Sequence, residues 1–337
     1  MRIVITGGHG FIGSLLRAQL SARGVFRGEP IDELVILDRS AAQSDVAGSG
    51  GVSTSTVVGD LAESLDDLFT QPVDAVFHLA SAVSSECEAD LDLGLRANLD
   101  GTRALLDAAR RQFEQTGRLV SVIFSSSVAV YGSDAALPMP EVVSESTLLT
   151  PQSSYGTQKH MYEQLIADYT RRGVLDGRVV RLMTVAVRPG RPNAAASSFV
   201  SGIIREPLAG QGSVCPVRPD LLLAIASPRR TVEGILTVAE AERGDGPGTL
   251  TGRLPVNLPA LTVTVGDMLD SLERLGGKEA RARVTMREDP AIDAIVRSWP
   301  ARFDNARAFA LGLGADEDMD AVVAQYIEDH ASGTVDA

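Results

Sequence analysis

The sequence predicts an α/β fold, a doubly wound parallel sheet followed by a smaller mixed α/β C-terminal lobe. Two observations carry that expectation: short β-branched runs alternate with helical patterns up to about residue 187, and proline- and glycine-rich stretches replace the alternation beyond it. The runs RIVIT, LVILD, TVVGD, AVFHLAS, LVSVIFSSS and VVRLMTVAV are apolar almost throughout. They read as strands buried on both faces, the state of strands in a parallel sheet covered by helices. Between them, SLLRAQLSARG and ANLDGTRALLDAARRQF read as helices, which completes the β-α-β order of a doubly wound sheet. AAQSDVAGSGGVSTS, residues 41 to 55, reads as a solvated loop between the second and third strands. In the second half, RPGRP, GQGSVCPVRPD and GDGPGTLTGRLPVNLPA interrupt the pattern before helical segments around 266 to 275 and 317 to 329.

Composition sets limits on function. With 337 residues, 44% of them hydrophobic and 22% charged, the chain can bury one large core, or one core with an appended lobe. The formal charge of −13 disfavours a nucleic-acid or anionic-membrane partner, and an anionic small molecule would need its cations gathered at one pocket. MRIVITGG is neither a signal peptide nor a span, and no later apolar run is long enough to cross a bilayer. Two cysteines, Cys87 and Cys215, are too few for a disulfide framework and fit a reducing cytoplasm. The four histidines, His9, His78, His160 and His330, are scattered without CxxC or HxxxH spacing, so no metal is expected.

The first chemical motif is TGGHGFIG, residues 6 to 13, between a strand and a helix. Gly7 permits a tight turn, Gly10 lets a pyrophosphate approach the backbone, and Gly13 lets the helix pack on the sheet. The helix start, with Phe11 and Ile12, presents free N–H groups and a positive dipole end to phosphates. Asp38, ending LVILD, can accept hydrogen bonds from ribose hydroxyls and repels a 2′-phosphate, so NAD is expected over NADP; Arg39 beside it is the one contrary sign. Residues 1–187, completed by parts of 230–265, are therefore expected to form a Rossmann-type NAD-binding domain, with 188–229 and 266–337 as a substrate-binding lobe.

A second constellation follows. FSSSVAVYG places Ser125, Ser126 and Ser127 at the carboxyl end of a strand, where open α/β sheets hold their ligands, and SSYGTQKHMYEQL sets Tyr155 and Lys159 four apart on one helix face. A phenol near pKa ~10 is a poor base at neutral pH, and an adjacent ammonium is expected to lower that value. In this reading Tyr155 transfers the proton, Lys159 activates it, and a serine hydroxyl holds the substrate oxygen.

TGGHGFIG, the strand-end Asp38, GDL at 59 to 61, HLAS at 78 to 81, Asn98, the serine run with VYG, and YxxxK occur in one order over about residues 1 to 190. That order resembles the extended short-chain dehydrogenase/reductase family, which includes nucleotide-sugar epimerases and dehydratases. The resemblance implies that Asp60 and Leu61 line the adenine, that Leu79, Ala80 and Ser81 run along the dinucleotide, and that Asn98, Ser125, Tyr155 and Lys159 help to hold it. It also implies that Ser127 is the catalytic hydroxyl, since FSSSVAVYG is similar to the epimerase pattern FSSSATVYG. The bland readings are a turn role for Asn98 and simple packing for His78. A dimer through the helices around 88 to 112 and 153 to 172 is likewise what the resemblance implies.

The stretch VRPGRPNAAASSFVSGIIREPLAGQG, residues 187 to 212, departs from the epimerase pattern RYFNVYGPG. It resembles the branch named for D-erythronate dehydrogenase, NAD-dependent enzymes of sugar-acid catabolism, as does the later Ser227, Pro228, Arg229. A short sugar acid needs a fixed cation and hydroxyl-binding groups, and Arg229 with Asn193, Ser197 and Ser198 supplies that chemical set. Helix capping, and surface pairing for Arg205, are the structural alternatives. Three functions stay open: oxidation of a secondary hydroxyl of a short sugar acid, nucleotide-sugar epimerisation or dehydration, and a catalytically idle NAD-binding regulator.

Overall fold

A computed structural model describes residues 1–40, 51–190 and 195–331. Seven strands form the central sheet: β1 (Arg2–Thr6), β2 (Glu33–Asp38), β3 (Ser53–Val58), β4 (Ala75–His78), β5 (Ser121–Ser127), β6 (Asp176–Leu182) and β7 (Val256–Asn257). Their order is β7-β6-β5-β4-β1-β2-β3, and every adjacent pair is parallel. Strand order reverses between β1 and β4, so the chain leaves these two strands in opposite directions and opens a crevice at their carboxyl ends.

Helices α1 (Phe11–Arg23), α2 (Leu61–Leu68), α3 (Gly101–Thr116) and α4 (Ser154–Arg171) connect the strands. The alternation of β1 decides which face each side chain joins. Ile3 and Ile5 pack with Leu16 and Leu20 of α1 on one face. Val4 joins Leu65 of α2, Leu105 and Leu106 of α3 and Ile166 of α4 on the other.

Beyond the sheet come α5 (Ser198–Leu208), α6 (Pro228–Glu240), α7 (Val265–Ala282, kinked at Gly277) and α8 (Met319–Ala331). A three-stranded sheet, Thr184–Val185, Leu222–Ala226 and Leu261–Thr264, lies among them. Phe199, Ile203, Ile204, Ile225, Met268, Leu272, Val322 and Val323 close a second apolar cluster around it. α6 packs instead on the first face of the central sheet, through Val232, Ile235 and Leu236.

Three details differ from the sequence reading. VVRLMTVAV is not one strand: β6 ends at Leu182, and Thr184 and Val185 pair with Ile225 and Ala226 in the second sheet. Ser53 to Ser55, expected in a loop, pair with Glu33 to Val35, because an edge strand tolerates polar residues; residues 41–50 of that loop lie outside the described residues. The helix expected over 97 to 113 opens with a π-helical turn, Leu95–Asp100. That turn carries Asn98, which is buried and hydrogen-bonded into the protein.

Among the described residues no helix is long and apolar enough to cross a membrane.

Candidate active site

The glycine loop is built by contact. A Cβ on Gly13 would lie 2.2 Å from the Gly7 carbonyl oxygen, and one on Gly7, at φ +70°, would lie 2.8 Å from the Ala80 nitrogen. Only glycine lets α1 seat directly on the turn. Two adjoining cavities follow from that arrangement, both bordered by Gly7, Gly10, Leu79 and Ser81. The smaller, about 240 Å³, runs past Asp38, Arg39, Asp60, Leu61 and Ala80. The larger, about 300 Å³, runs past Phe11, Ile12 and Gly13 to Ser125, Ser127, Tyr155 and Lys159.

These residues fit a dinucleotide. The first turn of α1 carries no acidic side chain to oppose phosphates, and its N-terminus borders the groove. Asp38 is held ready at the other end: Oδ2 accepts the His9 N–H at 3.0 Å, and Oδ1 accepts the Ser40 N–H and hydroxyl, each at 3.2 Å. Asp60 also accepts the Ala62 N–H as the cap of α2. Asn98 does not border either cavity. Its Oδ1 accepts from the Ala82 N–H at 2.8 Å and the Ser81 hydroxyl at 3.0 Å, and its Nδ2 donates to Gln158 Oε1 at 2.7 Å. It shapes the groove through the 81–82 segment rather than touching its contents.

Tyr155 reaches Ser127 because α4 is pulled against the end of β5. Ser153 caps the helix by accepting the Gly156 N–H, and a Cβ on Gly156 would lie 2.0 Å from the Ala129 carbonyl oxygen. The Tyr155 phenol and the Ser127 side chain border the same cavity, and the Ser127 hydroxyl accepts the Ala129 N–H at 3.1 Å. Lys159 Nζ donates to the Ser125 carbonyl oxygen at 2.8 Å, 4.7 Å from the Phe124 ring centroid and 5.5 Å from that of Tyr155. The three side chains named from the serine run and YxxxK are thus brought to one place.

Their electrostatics depart from expectation. Burial pushes the Tyr155 phenol up to about 12, opposed by the Ser127 hydrogen bond and the Arg188 charge. Burial also brings Lys159 down to about 7, opposed by Cys87 and Glu163. Desolvation outweighs the expected activation of the phenol by the ammonium, because Lys159 itself loses charge near neutral pH. Lys159 therefore gives up its proton near neutrality while the Tyr155 phenol holds its own.

The floor beneath is a closed network. Glu163 Oε1 accepts from the Ser126 hydroxyl at 2.5 Å and Arg181 Nε at 2.8 Å, and Oε2 accepts from Arg181 Nη2 at 2.7 Å. Arg181 continues to the Tyr131 hydroxyl at 2.6 Å, which donates to Asn257 Oδ1 at 3.0 Å. This network locks β5, α4, β6 and β7 behind the serines. His78 is buried between Thr6 and Thr102, and burial lowers it to about 3, so it is a neutral packing residue.

The substrate residues expected from the later sequence fare unevenly. Ser197 lines the larger cavity; Ser198 begins α5 and is not among the side chains that line it; Asn193 lies outside the described residues. Arg229 corrects the reading. Ser227 caps α6 by accepting the Arg230 N–H, Pro228 occupies the first turn, and Arg229 turns outward, 54% exposed, to pair with Glu328 at 3.0 Å and with Asp329. The Ser-Pro-Arg run is a helix start, and its cation is spent on α8. Arg205, expected on the surface, is buried; it pairs with Glu206 at 2.6 Å and donates to the Arg188 carbonyl at 2.7 Å. Among the cavity residues that the sequence reading did not name are Arg188 and Trp299. Arg188 stands in the RPGRP run, and Trp299 is the single tryptophan.

Comparison with known proteins agrees with this architecture. The model of the NAD dependent epimerase/dehydratase family matches residues 3–227. A D-erythronate dehydrogenase from Cupriavidus necator is 45% identical over 98% of both chains. Another, from Haemophilus influenzae, is 41% identical over 97% of this chain and 99% of its own. The crystal structure of a nucleoside-diphosphate-sugar epimerase from Agrobacterium tumefaciens superposes with a TM-score of 0.90 at 35% identity, covering 100% of this chain and 96% of that one. With the glycine cradle, the strand-end aspartate and the serine, tyrosine and lysine in their places, the chain belongs to the NAD dependent epimerase/dehydratase family, and NAD is its cofactor.

Proposed function

We propose that the protein is an NAD-dependent dehydrogenase that oxidises a secondary hydroxyl of a short sugar acid, such as D-erythronate, to the keto acid. The observation that carries the reaction type is the convergence of Ser127, Tyr155 and Lys159 at the end of the groove. The two relatives named D-erythronate dehydrogenase, each matched over nearly the whole chain, support the substrate class.

NAD, when bound, supplies the hydride acceptor. In this reading Gly7, Gly10, Phe11, Ile12 and Gly13 hold its phosphates, Asp38 its adenosine ribose, Asp60 and Leu61 its adenine side, and Leu79, Ala80, Ser81 and Ser125 its length. The Ser127 hydroxyl holds the substrate oxygen beside the Tyr155 phenol. The substrate hydroxyl proton passes to the Tyr155–Lys159 pair once that pair has lost a proton, and the carbinol hydrogen leaves as hydride. The lobe of 188–229 and 266–337 closes over the substrate. A homodimer through the helices around 88 to 112 and 153 to 172 belongs to the same reading; Leu91 (56%) and Met161 (52%) on those helices are exposed. Free, buried Cys87 and Cys215 suit a reducing compartment.

The epimerase reading has in its favour the name of the Agrobacterium tumefaciens structure and a UDP-glucose 4-epimerase from Erwinia amylovora, 32% identical over 60% of this chain. The two dehydrogenases are more similar in sequence, and the segment after β6 lacks the aromatic and asparagine of the nucleotide-sugar pattern. A panel of four- to six-carbon sugar acids and UDP-sugars, followed by NADH absorbance, tests the choice. NADH should form with a sugar acid; conversion of UDP-sugars alone would reverse the assignment.

A further inference from the structure

We propose that Arg188, with Ser197 and Trp299 bordering the same cavity, forms the subsite for the substrate carboxylate. The inference rests on the sugar-acid reading and assigns a residue to it. Arg188 is mounted from several directions. Its N–H donates to the Ser201 hydroxyl at 3.0 Å, its carbonyl accepts from Arg205 at 2.7 Å, and its Nε donates to the Val185 carbonyl at 3.1 Å. The first two partners lie on α5, so the helix that follows the RPGRP run holds the arginine in place.

Charge gives the mount its meaning. Arg181 pairs with Glu163, Arg205 with Glu206, and Arg229 with Glu328 and Asp329. Arg188 has no such partner among the described residues: the ionisable groups that act on it are Tyr155 and Arg205, and burial disfavours its charged form. A guanidinium taken out of water without a counter-charge is costly, and an anion entering the cavity would repay that cost. Because Arg188 lies within electrostatic reach of Tyr155, that anion would sit beside the reacting hydroxyl. A carboxylate meets a fixed guanidinium through paired charge-assisted hydrogen bonds, and the Trp299 indole adds an apolar surface to the lining of the same cavity. Neutral polyols lack the group that Arg188 holds.

Trp299 also supplies the test, since the chain has no second tryptophan. In NAD-loaded wild-type protein, D-erythronate should change the Trp299 fluorescence, and calorimetry should return the same affinity. Arg188→Ala should weaken that binding roughly 10- to 100-fold, the loss falling on KM rather than kcat, and Arg188→Lys should recover part of it. Erythritol should bind wild type and Arg188→Ala alike. NAD affinity and thermal midpoint should stay near wild type, and Arg188→Met, which keeps the packed stem, repeats the test should the alanine variant fold poorly. Wild type that binds D-erythronate while both variants stay within twofold of it overturns the subsite alone. Wild type that ignores every sugar acid overturns the subsite together with the substrate class.

Discussion

Lys159 hangs from the main chain of the strand it serves: its Nζ donates to the Ser125 carbonyl oxygen at 2.8 Å, so the position of the ammonium is set by backbone that no substitution at Ser125 removes. The helix face supplies the lysine and the sheet supplies its anchor. Tyr155, one turn earlier on α4, is therefore oriented by the same strand end that carries Ser127.

The first prediction follows from the two shifted groups. Burial lowers Lys159 to about 7 and raises Tyr155 to about 12, so the pair loses its first proton near neutrality. Oxidation needs a pair short of one proton, and kcat/KM for oxidation should therefore rise with pH at a slope near one and level off above about 7. Reduction should show the opposite trend. In Lys159→Met the rise should move to higher pH, toward the phenol's own range. A pH–rate profile that is flat across neutrality would remove the Lys159 titration from the mechanism.

Tyr155→Phe should lower kcat by at least ~10²-fold, the usual scale for losing a positioned acid or base. NAD should still bind, because the groove from Gly7 to Asp38 is untouched. Steady-state kinetics paired with a cofactor titration separates the two effects, and near-normal turnover would take the proton transfer away from Tyr155.

Asp38→Ala should weaken NAD and admit NADP, since the carboxylate that opposes a 2′-phosphate is gone and Arg39 borders the same cavity. The structure adds a second consequence. Asp38 also holds the His9 and Ser40 N–H groups, so NAD affinity should fall by more than the lost ribose contact alone. The ratio of kcat/KM for the two dinucleotides is the measurement. A wild-type preference for NADP would show that the strand end has been misread.

Gly156→Ala should be disproportionately harmful for one methyl group. The new Cβ would lie 2.0 Å from the Ala129 carbonyl oxygen, so α4 must move away from β5, at a cost of about 1–3 kcal/mol. Thermal unfolding should show the lower midpoint, and kcat should fall with it, because Tyr155 is the neighbouring residue. A variant with wild-type stability would mean that the helix does not seat as described.

What could be read from the sequence was local. The glycine loop, Asp38 and YxxxK depend on spacing within one turn or one strand end, and each lies where that spacing puts it. Arg229 could not be read this way: its partners, Glu328 and Asp329, are 99 and 100 residues away, and only folding brings α8 to α6. Arg188 was hidden for the related reason that its mount comes from Ser201 and Arg205, across the segment that contains the undescribed 191–194. The pKa directions of Tyr155 and Lys159 belong to the same class, because burial is a property of the assembled site rather than of two residues four apart.

The break in the chain after Leu182 has a mechanical consequence. Thr184–Val185 enters the second sheet, α6 returns to the first core, Leu261–Thr264 goes back to the second sheet, and Ala308 and Leu313 pack on the first core before α8 closes the second. The two cores are laced together by repeated crossings of a single chain, so neither can be cut out as a continuous piece. A tear that starts in one must strip strands or helices from the other, and heating should melt both in one calorimetric transition.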